Sequence, residues 1–352
     1  MAELASPPAR IWRAMLQFQL FIRFPAFGFT VILPFLGAAS AAPRLAPAQL
    51  AGLLALALAF HSFSYVENDV IDLPLDRRQP LRQADPLVRG AISPAVALAF
   101  ALAQVPLALA LTFWLGAPAT AYLALAAGFA LMTVYNLWGK RVALPVSTDM
   151  AQGLAWAALA LYGAIVAAGA PTGLTFLLSA YVVLYVMLIN SIHGSLRDLA
   201  NDFACGKRST AILLGARPLG ATQLHIPARL RFYAFALQYA LIGLLAWPLL
   251  RNDLGYGALA WAATALALAL LAARCLQLLA AMLADGVAQA DLIAPAQSHV
   301  FLSLAMLVAL FVAALTPGAL ALLLAACIAP LLPTQWWARQ MRKLAALPRR
   351  RP

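Results

Sequence analysis

Ten apolar stretches of roughly 20 residues each recur along this chain, and they limit the folds that are open to it. In lipid, only helices and closed β-barrels satisfy every backbone hydrogen bond. The runs are continuous, whereas barrel strands alternate between apolar and polar residues, so a barrel is excluded. Hydrophobic residues make up 64% of the chain and charged residues 10%, far from the balance of soluble proteins. The sequence therefore predicts an all-α protein, a polytopic transmembrane helical bundle around a central cavity.

The distribution of basic residues predicts the topology. They follow the second, fourth and sixth spans and flank both termini, whereas the connections after the third and fifth spans carry none. The positive-inside rule places these basic segments on one side, which requires an even number of crossings. We therefore expect nine to ten helices and favour ten, at 14–38, 48–67, 93–115, 118–137, 148–168, 173–194, 230–250, 256–283, 298–316 and 318–333.

The same asymmetry accounts for the net charge of +12, so no nucleic-acid partner is indicated. The first apolar stretch is too long for the core of a signal peptide and carries Arg23 and Pro25, so we expect a retained helix. No soluble domain is visible. Residues 1–333 are predicted to form one transmembrane domain, and residues 334–352, with Trp336 and Trp337, a basic tail that binds the lipid interface.

Acidic residues are concentrated at the end of the second span. The chain has twelve Asp and Glu residues, and four of them fall within ten positions: Glu67, Asp69, Asp72 and Asp76. One predicted helical face carries His61, Tyr65, Asn68 and Asp72. Such polar side chains are expected to face the bundle interior or a cavity. Pro74 lacks a backbone donor, so we expect the helix to end just before it and Asp76 to lie in a loop.

A second polar cluster ends the sixth span. Its members are four positions apart, and one helical face is predicted to carry Asn190, Gly194, Asp198 and Asp202. Gly206 permits a turn beyond them, where Lys207 and Arg208 add positive charge. Two acidic clusters that meet across a cavity repel each other unless a cation lies between them. Mg²⁺ is a hard cation that one or two carboxylates and substrate phosphates bind. The clusters therefore predict a Mg²⁺–diphosphate site at the membrane border.

These motifs resemble those of a known family. The pattern Asn68-Asp69-x-x-Asp72-x-x-x-Asp76 resembles the NDxxDxxxD motif of the UbiA superfamily of intramembrane prenyltransferases, and Asp198-x-x-x-Asp202 resembles its second motif. Both follow the same helices as in the family, the second and the sixth. The resemblance covers about residues 14–316 and implies Mg²⁺-dependent ionisation of a prenyl diphosphate.

The resemblance also implies roles for individual residues. Four residues correspond to the Mg²⁺ ligands: Asn68, Asp72, Asp198 and Asp202. Asp69 and Asp76 would support or share that role. Tyr135 and Lys140 resemble the YxxxK diphosphate contact, one residue further apart than in the family, and Arg141 is an alternative to Lys140. The expected catalytic residues are thus Asp72, Asp198, Tyr135 and Lys140, and position alone adds three diphosphate contacts: Arg77, Lys207 and Arg208.

Three functions are compatible with these motifs. In the first, the prenyl group is transferred to a lipophilic acceptor, aromatic by analogy with the family. In the second, a UbiA-type terpene cyclase closes the prenyl chain on itself; Asp85, where many relatives have Arg, favours this alternative. A transporter is the remote third, because charges on an ion path are expected near mid-bilayer and not at one border. We expect a bacterial cytoplasmic membrane with both motif loops on the cytoplasmic side.

Other residues allow both packing and functional interpretations. His61 and His193 suit hydrogen bonds between helices. Asp149 and Gln152 suit either acceptor orientation or helix association. Aromatic residues of the middle helices suit either core packing or stabilisation of a carbocation in a prenyl tunnel: Trp156, Tyr162, Tyr181 and Tyr185.

Overall fold

The computed structural model describes residues 15–42, 44–78, 82–139, 141–220 and 222–331. The tail 334–352 and Lys140 lie outside these residues. Residues 15–21 form helix α1. The next helices are α2 (Phe27–Ala41), α3 (Pro47–Asp76), α4 (Pro94–Trp114), α5 (Ala119–Trp138), α6 (Pro145–Ala168) and α7 (Gly173–Leu188). A π-helical turn, Ile189–Gly194, continues α7 into α8 (Ser195–Arg197), α9 (Leu199–Ala204) and α10 (Thr210–Leu213). The chain then forms β1 (Arg217–Leu219), β2 (Gln223–His225), α11 (Ala228–Leu250), α12 (Ala258–Met282), α13 (Ile293–Phe311) and α14 (Pro317–Ile328).

The predicted all-α membrane fold is confirmed. Among the described residues, nine helical segments are long and apolar enough to cross a membrane. The tenth predicted span corresponds to α14, which has 12 residues. A helix of that length extends about 18 Å, less than the roughly 30 Å of a hydrocarbon core. The described residues therefore support nine crossings, which lies within the predicted nine to ten, and the preference for ten is not met.

The first predicted span is broken. Arg23 adopts a left-handed backbone conformation with φ 50°, and the 3₁₀ turn Phe24–Ala26 separates α1 from α2. Proline at position 25 suits the start of a helix, because its missing N–H would have no partner there. The uniform apolar composition of this region predicted one continuous helix, which was wrong. The break brings Arg23 to the end of α3, as described below.

Helix α3 is the longest element and carries the first motif. Its 30 residues extend about 45 Å, which exceeds the hydrocarbon thickness by roughly three turns. The expectation that Pro74 ends this helix, with Asp76 in a loop, was wrong: α3 continues to Asp76, and Arg77 N–H donates to Leu73 O at 3.1 Å. The proline removes a single helical donor this close to the end, so the last turn forms without it.

Helices α2 and α6 pack unusually close together at two glycines. A Cβ atom built on Gly37 would lie 2.0 Å from Ala160 O, and one on Gly163 would lie 2.0 Å from Pro34 O. Small residues let two membrane helices approach until their backbones touch, which replaces side-chain burial with direct van der Waals contact. This contact fixes α2 against the centre of the bundle.

The segment that contains the second motif is irregular. The π turn has i→i+5 hydrogen bonds, so Asn190 does not lie on the predicted helical face. The other three residues are each one helical turn apart: Asp198 N–H donates to Gly194 O at 3.1 Å, and Asp202 N–H donates to Asp198 O at 2.9 Å. The hairpin β1–β2 then pairs Arg217 with His225. Leu224 of this hairpin bonds to Val287 and Gly286, so the hairpin is attached to the α12–α13 connection.

Candidate functional site

One cavity of about 460 Å³ brings together residues of both motif regions. Asn68 and Asp72 of α3 form part of its wall, and Tyr135 at the end of α5 forms another part. Cationic side chains complete the lining: Arg141, Lys207 and Arg208. Gly206 has φ 65°, a conformation that glycine adopts without strain, and it turns the chain so that the two following cations reach the cavity. The two motif regions, 130 residues apart in sequence, therefore converge on one chamber.

The carboxylates of the first motif have different environments. Asp72 is half-buried in the cavity wall, and Asn68 beside it donates from Nδ2 to Asn136 Oδ1 at 3.3 Å. Asp69 forms an ion pair with Arg23, whose Nε donates to Asp69 Oδ2 at 3.1 Å. Asp69 therefore has a permanent cationic partner, whereas Asp72 is directed to the cavity.

A buried hydrogen-bond network supports the cavity wall from behind. Glu67 is 5% exposed and accepts from Thr133 Oγ1 at 2.9 Å and from Asn136 Nδ2 at 2.8 Å. Asn136 also accepts from Asn68, so this network connects α3 and α5 next to the motif. Glu67 was predicted as one of the clustered acids, whereas no role was predicted for Asn136. The sequence signal for Asn136 is a polar residue next to Tyr135 in a mostly apolar helix.

Asp76 lies outside the cavity lining and is buried at the end of α3. Arg82 Nε is 3.9 Å from Asp76 Oδ1, and Arg82 Nη1 is 3.1 Å from Asp85 Oδ2. Asp85 in the loop and Asp76, the last acid of the first motif, therefore share the Arg82 guanidinium.

The second motif is held by its own neighbours. Arg197 donates to Asp198 from Nε at 3.0 Å and from Nη2 at 2.8 Å. Asp202 is 2% exposed, and its backbone carbonyl accepts from Lys207 N–H at 2.8 Å. From α6, the Asp149 carboxylate accepts from Ser191 and Thr210, residues on either side of this motif. Gln289, which precedes α13, donates to Arg197 O, so the far end of the bundle also contacts the motif.

Aromatic side chains form a continuous cluster on the bundle side of the first motif. The Trp156 ring lies 4.9 Å from Phe29, 5.4 Å from Phe60 and 6.2 Å from Tyr65. The Phe29 ring also lies 5.7 Å from Tyr185. Tyr65 precedes Asn68 by one helical turn, so the cluster begins at the motif. The other predicted aromatic residues, Tyr162 and Tyr181, are buried. The Tyr162 hydroxyl shares a hydrogen bond of 3.0 Å with the Thr112 hydroxyl, and the Tyr181 hydroxyl donates to Ser303 O at 2.7 Å.

The structure places six of the predicted site residues in one lining: Asn68, Asp72, Tyr135, Arg141, Lys207 and Arg208. The lining does not include five others: Asp69, Asp76, Arg77, Asp198 and Asp202. Arg23 was missed as a site residue, although an arginine inside an apolar run was visible in the sequence. Its partner was not, because Asp69 is 46 residues away.

The oxygen donors in this cavity fit a Mg²⁺ ion that is shared with a substrate. Within the described ranges, no group of three or more His, Cys, Asp or Glu side chains is arranged to hold a metal. Mg²⁺ is usually bound by one or two carboxylates together with substrate phosphates, and a site made only of protein is not required. The Asp72 carboxylate and the Asn68 amide oxygen supply that kind of incomplete set, and the nearby cations suit phosphate oxygens.

Comparison with known proteins gives a consistent picture. The family model of the UbiA prenyltransferase family matches residues 30–284. The digeranylgeranylglyceryl phosphate synthase of Pyrococcus abyssi is 32% identical over 154 residues, which cover 43% of this chain and 51% of that protein. The match thus spans about half the length of this relative.

Solved structures share the fold. A UbiA homologue from Aeropyrum pernix, in its apo form, has a TM-score of 0.62 at 22% identity, covering 82% of this chain and 98% of that chain. A UbiA homologue from Archaeoglobus fulgidus bound to GPP and Mg²⁺ has a TM-score of 0.60 at 16% identity, covering 82% and 99%.

Proposed function

Because this chain belongs to the UbiA prenyltransferase family, we propose that it is a Mg²⁺-dependent membrane enzyme that ionises a prenyl diphosphate and transfers the prenyl group to a lipophilic acceptor. The observation that carries the proposal is the shared cavity, where the carboxylate of Asp72 faces the cations of the second motif region. A diphosphate needs both kinds of group. Its charge requires a metal held by oxygen ligands, and its outer oxygens require Lys or Arg.

The charged side chains of the lining, together with Asn68 and Tyr135, have roles in this proposal. Asp72 and Asn68 hold Mg²⁺ together with the substrate phosphates. Asp198 and Asp202 lie outside the lining, and the family resemblance adds them to this set from the second motif. Arg141, Lys207 and Arg208 bind the outer oxygens of the diphosphate, as does Lys140, which lies outside the described residues. The Tyr135 hydroxyl donates a hydrogen bond to a phosphate oxygen. When bound, Mg²⁺ neutralises the charge that develops on the departing diphosphate.

The aromatic cluster supplies the other half of the site. Ionisation leaves an allylic cation, and the faces of Trp156, Phe29 and Phe60 attract positive charge. Because these rings are packed in the bundle, they also exclude water, which would otherwise capture the cation. The prenyl chain lies among the helices, with its diphosphate head at the border.

The acceptor is the least constrained part of the proposal. Family analogy favours an aromatic compound, whereas the name of the Pyrococcus abyssi relative supports a lipid with a glyceryl phosphate head. Cyclisation without an acceptor is the alternative. The observation that favours it is Asp85, which stands where many relatives have Arg and pairs with Arg82, so the loop next to the site has less positive charge than in those relatives.

Purified protein tests the proposal. In detergent with Mg²⁺ and geranylgeranyl diphosphate, plus candidate acceptors, we expect diphosphate release that EDTA stops, and at least a hundredfold loss in Asp72→Ala. Arg217→Gln, on the exposed hairpin, is the control and retains release. A wild-type protein that releases no diphosphate with dimethylallyl, geranyl, farnesyl or geranylgeranyl diphosphate contradicts the proposal.

Product analysis separates the two outcomes. If release occurs only after an aromatic or glyceryl phosphate acceptor is added, and the prenylated acceptor accumulates, transfer is correct. A cyclic hydrocarbon or terpene alcohol formed without any acceptor instead establishes cyclisation.

A further inference from the structure

Asp149 is a buried carboxylate that lies outside both acidic motifs. It begins the second turn of α6 and is 7% exposed. Its Oδ2 atom accepts from Thr210 Oγ1 at 2.6 Å and from Ser191 Oγ at 3.1 Å. Thr210 and Ser191 are themselves 1% and 0% exposed, so both hydrogen bonds are shielded from solvent. A hydrogen bond to an ionised acceptor contributes more than one between neutral groups.

The two donors stand at opposite ends of the second motif segment. Ser191 lies in the π turn before Asp198, and Thr210 begins α10, two residues after Arg208. One carboxylate therefore closes a loop of residues 191–210, which contains both motif acids and both cavity cations. The Ser191 hydroxyl is also 3.4 Å from the hydroxyl of Tyr233 on α11. The π turn and three helices, α6, α10 and α11, thus meet at this point.

We propose that Asp149 is a positioning residue: it fixes the segment 191–210 so that Lys207 and Arg208 face the cavity lined by Asp72. This deepens the proposed function and rests on it. The Ser209 cap of α10, which accepts from Ile212 N–H at 3.4 Å, is a contact within the same short helix, whereas the Thr210 contact joins this end of the segment to α6. Without the Thr210 contact, the Lys207 and Arg208 side chains would sample other positions. A diphosphate would bind more weakly, because binding would have to order these side chains at a cost in conformational entropy.

Asp149 is assigned as a positioning residue and not as a ligand for substrate, because Oδ2 has two hydroxyl donors and Asn190 on the π turn also forms a hydrogen bond with this carboxylate. The neighbouring polar side chains are also paired within the bundle: Asn190 on the π turn donates to Gln152 on α6. This arrangement resolves the two sequence interpretations of Asp149 and Gln152 in favour of contacts between helices, with a consequence for the site.

The decisive variants remove the hydroxyl and then restore it. Thr210→Val keeps the shape and deletes the donor, whereas Thr210→Ser restores the donor. Asp149→Asn keeps the shape of the acceptor and removes its charge. Thr264→Val, a buried threonine of α12, is the matched control for the same chemical change.

Steady-state kinetics with a prenyl diphosphate and Mg²⁺ provide the first readout. We expect Thr210→Val and Asp149→Asn to raise KM for the prenyl diphosphate about tenfold or more, with thermal stability close to that of Thr264→Val. Thr210→Ser should return KM to the wild-type value. If thermal stability falls and KM does not change, the residue only joins helices and the proposal is overturned.

Limited trypsin digestion provides a second readout that needs no activity. Arg208 is exposed, and so are Arg77 and Arg78 at the end of α3. We expect cleavage after Lys207 and Arg208 to accelerate in Thr210→Val relative to cleavage after Arg77 and Arg78, and to be normal in Thr210→Ser. An unchanged ratio overturns the proposal. A wild-type protein that releases no diphosphate, with the ratio still raised in Thr210→Val, contradicts the proposed function and leaves the positioning of the segment standing.

Discussion

Arg23, at the break in the first membrane segment, forms an ion pair with Asp69 of the first acidic motif. The Arg23 guanidinium also lies 5.4 Å from the ring of Tyr65, and its carbonyl is 3.2 Å from His61 Nε2. The left-handed backbone at Arg23 is thus stabilised by three contacts with a single helix, α3. The N-terminal segment is thereby fastened to the end of α3 that lines the cavity.

Removal of Arg23 is expected to destabilise the protein. Arg23→Ala leaves the Asp69 carboxylate, which is 14% exposed, without its cation. Loss of one partner of a fully buried pair costs about 3–5 kcal/mol, and partial exposure reduces this to about 2–3 kcal/mol. Thermal unfolding in detergent measures the effect. The double variant Arg23→Ala with Asp69→Asn should recover part of the loss, and strictly additive effects in that cycle would contradict a direct pairing.

The cavity cations are expected to determine the affinity for the diphosphate. Arg208→Gln and Arg141→Gln should each raise KM for the prenyl diphosphate about ten- to a hundredfold, because a hydrogen bond to a charged group contributes about 1.5–3 kcal/mol. Initial rates at varied substrate concentration provide the measurement. Arg217→Gln is the charge-matched control on the hairpin. An equal KM in all three variants would place the diphosphate elsewhere.

The network behind the cavity wall is expected to affect both stability and metal use. Asn136→Leu removes one of the donors to Glu67 and the acceptor for Asn68, which costs about 1–3 kcal/mol for the buried groups left without partners. We also expect half-maximal diphosphate release to require more Mg²⁺, since Asn68 loses its orientation. The control is Gln277→Ala on the exposed face of α12. A stability loss with an unchanged Mg²⁺ requirement would show that Asn68 does not depend on this network.

The close contact between α2 and α6 predicts a contrast between two glycines. Gly163→Ala introduces a Cβ that would collide with Pro34 O, so the helices must separate at a cost of about 1–3 kcal/mol. Gly243→Ala meets open space inside α11 and should be neutral or stabilising by up to about 1 kcal/mol. Thermal unfolding of both variants tests the contact, and equal unfolding temperatures would refute it.

The membrane spans were predictable because they depend on local composition. The third, fourth, fifth, seventh and eighth predicted spans match α4, α5, α6, α11 and α12 to within a few residues, whereas the ends of α3 and α7 and both ends of α13 differ more. The exceptions are non-local. The break at Arg23 depends on Asp69, and the π turn at Ile189–Gly194 accompanies contacts that Ser191 makes with α6 and α11. Composition cannot indicate such partners.

The candidate site was predictable to the extent that motif spacing implies it. Asn68, Asp72, Tyr135 and the two cations after Gly206 do line one cavity. The supporting residues Asn136 and Arg23 were not identified, because each acts through a partner on another helix. A sequence shows that a residue is polar in an apolar run, but its partner follows only from packing.

Arg82 forms an ion pair with Asp85, and its Nε atom lies 3.9 Å from Asp76 Oδ1, so two carboxylates share one guanidinium. The negative charge at position 85 is consequently balanced within its own loop and does not confront an incoming molecule alone. Exchange of Asp85 for a neutral or basic residue would free Arg82 to draw closer to Asp76. A substitution at position 85 would therefore also change the ion pair at the end of α3.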